Sequence, residues 1–154
     1  MPALPEPDFG ILLGAAYAAF TEWLRAEMRA SGFDDLGPSH GYVFRALGEG
    51  SMTLTELAAG LGMTTQGAAK IVAAMAEGGY VRSTPDPTDG RAKRLALDDR
   101  GRRALRRARA LHASYERRLI RRLGAQRVAD LREALALVGE SGEVDAATRV
   151  LRPM

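Results

Sequence analysis

The stretch TLTELAAGLGMTTQGAAKIVAAMAEGGYVRSTPDPTDGRAKRLALDDRG, residues 53–101, decides the fold. Thr55 is placed to cap a short helix over Glu56–Gly60, because a threonine hydroxyl accepts from the free N–H groups of a first helical turn. Gly62 makes a turn, and Thr64 or Thr65 caps a second helix running to about Glu77, with Ile71, Val72 and Met75 facing inward. Gly78-Gly79 stops that helix, since glycine takes the left-handed cap without cost. Tyr80–Thr84 then reads as a strand and Lys93–Leu97 as its partner. Between them Pro85-Asp86 and Asp89-Gly90 are strong turn signals in a charged hairpin tip. Helix, turn, helix and strand pair in this order make a winged helix-turn-helix, a shape that lays one helix in a DNA major groove.

The flanks read as helical. A helix is expected from about Phe9 to Met28, because Phe9, Leu12, Leu13, Ala16, Tyr17, Phe20, Trp23 and Leu24 recur at three- and four-residue steps. It is apolar on more than one face, so it lies either within a core or against a partner chain. Pro38 opens a helix to about Leu47, with Tyr42, Val43, Phe44 and Leu47 as its buried positions. Asp98 or Asp99 caps a long helix from about Arg100 to Leu123, and Leu105, Ala108, Leu111, Tyr115 and Leu119 form its inner stripe. A last amphipathic helix spans Gln126–Val138, ended by Gly139, and Val144–Leu151 forms a weak helical segment. The fold class is therefore mainly α with a small β-hairpin wing. The expected division is a loose arm at 1–8, a helical dimerisation lobe from 9–35 and 104–154, and a DNA-binding lobe at 36–103.

Composition bounds the function. The 154 residues suit one compact domain or two small intertwined lobes. No cysteine is present, which excludes disulfides, thiolate metal sites and a thiol redox switch. The start MPALPEPDFG lacks the basic region of a signal peptide, and the apolar run Ile11–Phe20 is too short to span a bilayer. The expectation is a cytoplasmic protein with no membrane association. Of 22 basic residues only Lys70 and Lys93 are lysine. An arginine-rich surface is the ordinary product of a GC-rich genome, so position rather than count bears on nucleic acid. There is no HExxH, P-loop or nucleophile elbow, and the Gly48-x-Gly50 pair lacks the third glycine of a dinucleotide fingerprint. No enzyme chemistry, metal site or cofactor is expected.

The candidate DNA contacts lie at the exposed start of the second helix. Gln66 matches an adenine edge, Thr64 and Thr65 match a base or phosphate, and Ala69 matches a thymine methyl. Lys70 suits a phosphate. Gly67, Ala68 and Ala69 are small, so few side chains are able to read bases, and a partly shape-based preference is expected. In the wing, Arg91 with Lys93 and Arg94 is the group suited to a narrow minor groove. The plainer reading makes the threonines simple caps and the wing a solvated turn whose acids pair with Arg91.

These residues resemble the MarR family of bacterial transcriptional regulators. Glu56-Leu57-Ala58 followed by Leu61-Gly62 matches the family's first helix-turn-helix element. Asp86-Pro87-x-Asp89-Gly90-Arg91-x-Lys93, then Leu95-x-Leu97 and Gly101, matches its wing. The resemblance covers about residues 36–138 and departs at Gly90, where a basic residue is common, and at Asp98, where threonine is usual. It implies a homodimer on a near-palindromic double-stranded operator, with repression as the usual outcome. It also implies a small aromatic or anionic effector held between the lobes. Tyr17, Phe20, His40, Phe44, Arg45 and His112 are the candidate ligand residues, although each suits a plain core or surface position as well. The rival readings are an architectural DNA binder using the arginine face of helix 100–123, and a helical interaction protein that has lost DNA binding.

Overall fold

A computed structural model describes residues 6–90 and 92–141. Arg91, residues 1–5 of the expected arm and the expected helical segment Val144–Leu151 lie outside the described residues. The elements run α1 (Phe9–Ala30), α2 (His40–Gly48), β1 (Met52–Thr53), α3 (Leu54–Gly60), α4 (Thr65–Glu77), β2 (Val81–Pro85), β3 (Lys93–Leu97), α5 (Asp99–Leu123) and α6 (Ala125–Ser141). The chain is mainly helical with one small antiparallel sheet of order β1-β3-β2.

Local chemistry accounts for most boundaries. Ser31 caps the end of α1 and Gly32 follows at φ +88°. Gly62 turns between α3 and α4 at φ 60°, and Thr64 Oγ1 accepts from Gly67 N at 3.1 Å to open α4. Gly79 closes α4 at φ 71°, and Asp98 caps α5.

Besides α2, which opens at His40 rather than at Pro38, four boundaries differ from the sequence reading. The cap of α3 is Thr53, not Thr55. Its hydroxyl accepts from Glu56 N at 3.2 Å, while Glu56 Oε2 accepts from Thr53 N at 2.7 Å. This reciprocal box satisfies two orphan donors at once, which a lone Thr55 cap would not. Second, Met52 and Thr53 form β1, pairing Met52 with Leu95 and Thr53 with Arg94; two residues are too few to show alternation. Third, the β2 strand begins at Val81, because Tyr80 N is held by Met75 O at 2.8 Å in the close of α4. Fourth, α6 runs through Gly139 to Ser141. A glycine weakens a helix by about 1 kcal/mol without being bound to end it.

The core gathers Val43, Phe44 and Leu47 of α2, Leu57 of α3 with Leu61 behind it, and Met75 of α4. Tyr80 joins from the close of α4, Val81, Leu95 and Leu97 from the sheet, Ala104 and Leu111 from α5, and Met28 from α1. Burying such side chains contributes about 1.5–3 kcal/mol each before conformational entropy is subtracted. The long α5 crosses directly over the start of β2. A Cβ built on Gly101 would stand 2.1 Å from Tyr80 O, so only glycine fits this crossing.

Candidate nucleic-acid interface

The outer face of α4 is offered to solvent. Ala68 and Met75 seal its inner face, while Thr64, Thr65, Gln66 and Lys70 are exposed and Ala69 is half-buried. Thr64 is committed as the cap through one lone pair. Thr65, Gln66 and Lys70 project from the same first two turns. The helix therefore presents a short polar patch at its positive end, where free N–H groups favour an anion.

The wing is built around one buried carboxylate. Asp86 Oδ1 accepts from Thr88 Oγ1 at 2.6 Å, Thr88 N at 2.8 Å and Asp89 N at 3.3 Å. Its Oδ2 accepts from Arg94 Nη1 at 3.2 Å. The Thr88 hydroxyl and amide, then Arg94, hold this carboxyl well below the usual carboxylate range. Asp86 N donates to Ala92 O, and Ala92 N donates to Asp89 O, both at 2.9 Å. Arg94 is thus engaged at the wing's base, where its Nε also donates to Ser51 Oγ at 3.0 Å and its Nη2 to Ser51 O. Lys93 remains exposed.

A second polar knot fixes the far end of α4. The Tyr80 hydroxyl donates to Asp35 Oδ1, and the Arg100 guanidinium lies 4.4 Å over the Tyr80 ring. Arg100 Nη1 donates to Gly78 O at 2.6 Å, at the C-terminal end of α4, and Nη2 to Asp35 Oδ1 at 3.2 Å. Arg100 Nη2 also reaches Gly32 O behind α1 at 3.5 Å. One cation therefore meets the negative ends of two helices. Burial acts to raise the Asp35 pKa, but Tyr80, the Asp35 backbone and Arg100 outweigh it and hold the carboxyl low. Burial, and then Asp35, push the Tyr80 hydroxyl up. No sequence signal joins Asp35 to Arg100 across 65 positions, because caps and turns act within a few residues and this contact is tertiary.

The expected ligand residues separate into groups. Tyr17 and Phe44 line a cleft of about 310 Å³ together with Arg25, Arg29, Phe33 and Leu36. Tyr42 stands beside Tyr17, and its hydroxyl is pushed up to about 12 by burial and then by Tyr17. Phe20 and His112 instead pack with Trp23 and Tyr115, the Phe20–Tyr115 rings 4.9 Å and the Phe20–His112 rings 5.1 Å apart. Burial and then the charge of Arg45 lower the His112 pKa, so Arg45 belongs with this second group. His40 Nδ1 accepts from Gly37 N at 3.1 Å, which makes it a brace on the cleft's edge, and burial lowers its pKa against the pull of Asp35. Among the described residues no group of His and carboxylates could hold a metal ion, and no helix is long and apolar enough to cross a membrane.

The MarR family model matches residues 34–92, from the α1–α2 loop to the wing tip. Over this stretch the chain is similar to the MarR family. The family segment thus holds α2, β1, α3, α4 and β2, and the long helices flank it. The exopolysaccharide II synthesis transcriptional activator ExpG of Rhizobium meliloti (strain 1021) is 29% identical over 100 residues, 65% of this chain. The match spans about half of that relative, 52% of its length. YusO from Bacillus subtilis shares the fold with a TM-score of 0.68 at 17% identity, over 87% of this chain and 94% of its own. A cysteine-to-serine variant of MarR from E. coli, solved in complex with operator DNA, gives 0.67 at 20% identity over 84% and 91%. The winged-helix fold of the MarR type is thereby established for this chain.

Proposed function

We propose that the protein is a sequence-selective, DNA-binding transcriptional regulator that acts as a homodimer. The observation that carries this is α4: its inner face is sealed by Ala68 and Met75, and its first two turns offer Thr65, Gln66 and Lys70 outward beside an ordered wing. The operator complex of a MarR relative and the activator name of another support it. Thr64, Thr65, Gln66, Ala69 and Lys70 serve as the major-groove contacts, and Arg91 and Lys93 as the wing contacts. Residues 36–103 act as the DNA-binding lobe, and 9–35 with 104–154 as the dimerisation lobe. Repression follows where the dimer covers a promoter, and activation where it sits upstream, so operator position decides the sign.

The cleft supports an effector. Its volume of about 310 Å³ suits a small molecule, and Arg25 and Arg29 beside Tyr17, Phe33 and Phe44 suit an aromatic anion. Such a ligand shifts the regulator only by binding the DNA-competent and incompetent forms unequally.

In vitro selection from random duplexes tests the reading. Enrichment of a near-palindrome with half-sites roughly one turn, about 34 Å, apart is expected, with few sharply discriminated positions because Gly67, Ala68 and Ala69 carry little base-reading chemistry. Lys70→Ala then weakens all sequences alike and flattens the salt dependence by about 0.9 in log–log slope. Failure to retain any duplex at low salt sinks the proposal. Continuous coating of long DNA in a footprint favours the architectural reading instead.

A further inference from the structure

Arg94 stands in the wing of a DNA-binding lobe, yet its donors point inward. Nη1 donates to the buried Asp86, Nε to Ser51 Oγ and Nη2 to Ser51 O. Two segments of chain far apart in sequence are joined by this one side chain. Asp86 organises the wing tip through Thr88 and Asp89. Ser51 precedes β1, whose Thr53 pairs with Arg94 and caps α3 through the box with Glu56. The charge on Arg94 also acts on the Glu56 carboxylate. The α3 helix in turn packs on α4. Arg94 is therefore the side-chain link between the wing tip and the frame that carries the recognition helix. The base of the hairpin is held by β3, which pairs with β1 and β2 and buries Leu95 and Leu97, whereas in β2 only Val81 is buried, so burial does little to fix the strand toward the tip.

We propose that Arg94 is a positioning residue for DNA recognition, pinning the wing at a fixed angle to α4 through Asp86 and Ser51, and that it does not contact DNA phosphate. The inference rests on the DNA-binding reading above. Its physical basis is preorganisation: a wing that pivots must be ordered at the moment of binding, and that ordering subtracts from affinity. A phosphate contact and a pin both lose affinity on substitution. They differ in salt dependence, because only the phosphate contact releases a counterion.

The test compares wild type, Arg94→Met and Ser51→Ala on a selected operator duplex over a range of salt. Methionine keeps the aliphatic stem and removes the fork. The pin predicts a loss of roughly tenfold for Arg94→Met with the log–log salt slope unchanged. Ser51→Ala, which removes no charge, loses affinity in the same direction by less, because the Ser51 carbonyl still accepts. A slope flattened by about 0.9 in Arg94→Met overturns the proposal and makes Arg94 a phosphate contact. Nitrogen-15 relaxation of the free protein supplies an arm that needs no DNA. Order parameters of the Thr88, Asp89 and Ala92 amides fall in both variants under the proposal, and unchanged values overturn it. Wild type that binds no duplex removes the recognition role together with the functional reading, while relaxation still decides whether the pin exists. Ser51 is exposed, so Ser51→Ala keeps both arms readable if Arg94→Met fails to fold.

Discussion

At the scale of single residues, Gly101 carries the sharpest constraint. A Cβ there would meet Tyr80 O at 2.1 Å and Tyr80 C at 3.1 Å, both backbone atoms that are unable to rotate away. The Tyr80 carbonyl is itself fixed, accepting from Asp98 N at 2.8 Å. Gly101→Ala must push α5 off the start of β2 and break that bond. A loss of about 3 kcal/mol is expected by urea denaturation, against the gain of about 1 kcal/mol that alanine brings to an exposed helical site. A variant as stable as wild type would show that α5 shifts freely on the sheet. The sequence displayed this glycine as part of the wing pattern, but its reason is visible only once the helix and strand are superposed.

Among the elements, the legible ones were those whose chemistry is local. The α4 boundaries followed from the Thr64-Thr65 pair, of which Thr64 is the cap, and from Gly78-Gly79, and the β3 range from its flanking turns, because caps and turns act within a few residues. The wing tip was legible as a turn, yet the inward commitment of Arg94 was not, since it depends on Ser51, 43 positions away. The start of α3 was misread for an instructive reason. Thr53-x-x-Glu56 and a lone Thr55 were both present, and the reciprocal box outweighs a single cap. The two threonines therefore separate by experiment. Thr53→Ala is expected to destabilise the protein by about 1 kcal/mol, while Thr55→Ala, exposed on the outside of α3, changes stability little. Equal losses in chemical denaturation would return the cap to Thr55. The candidate ligand residues were legible as aromatic and cationic types, but not as two separate groups. Helical spacing gives a residue's face and leaves open which neighbour that face meets.

For the whole molecule, the unresolved tension is apolar surface. Phe9, Ile11, Leu12 and Tyr17 on α1 are 69%, 62%, 51% and 57% exposed, and Leu131, Leu135, Leu137 and Val138 on α6 are 43%, 49%, 59% and 50% exposed. Val128 is the only buried hydrophobic described in α6, whose main packing is against α5. Soluble monomers seldom leave such contiguous apolar stretches in water. In the proposed homodimer, a second copy of the chain would cover these helices across a two-fold axis and set two α4 helices at a fixed spacing. Folding and association are then linked, because dissociation re-exposes the same helices. The melting temperature should rise with protein concentration, and light scattering at micromolar concentration should give the dimer mass. Leu135→Arg places a charge in the middle of the α6 stripe and leaves Val128 and the winged-helix core untouched. It should shift the mass toward monomer and weaken operator binding, because each lobe then meets its half-site alone. A wild-type monomer whose melting temperature is independent of concentration would assign the exposed faces to some other occupant and leave the spacing of the recognition helices without a cause.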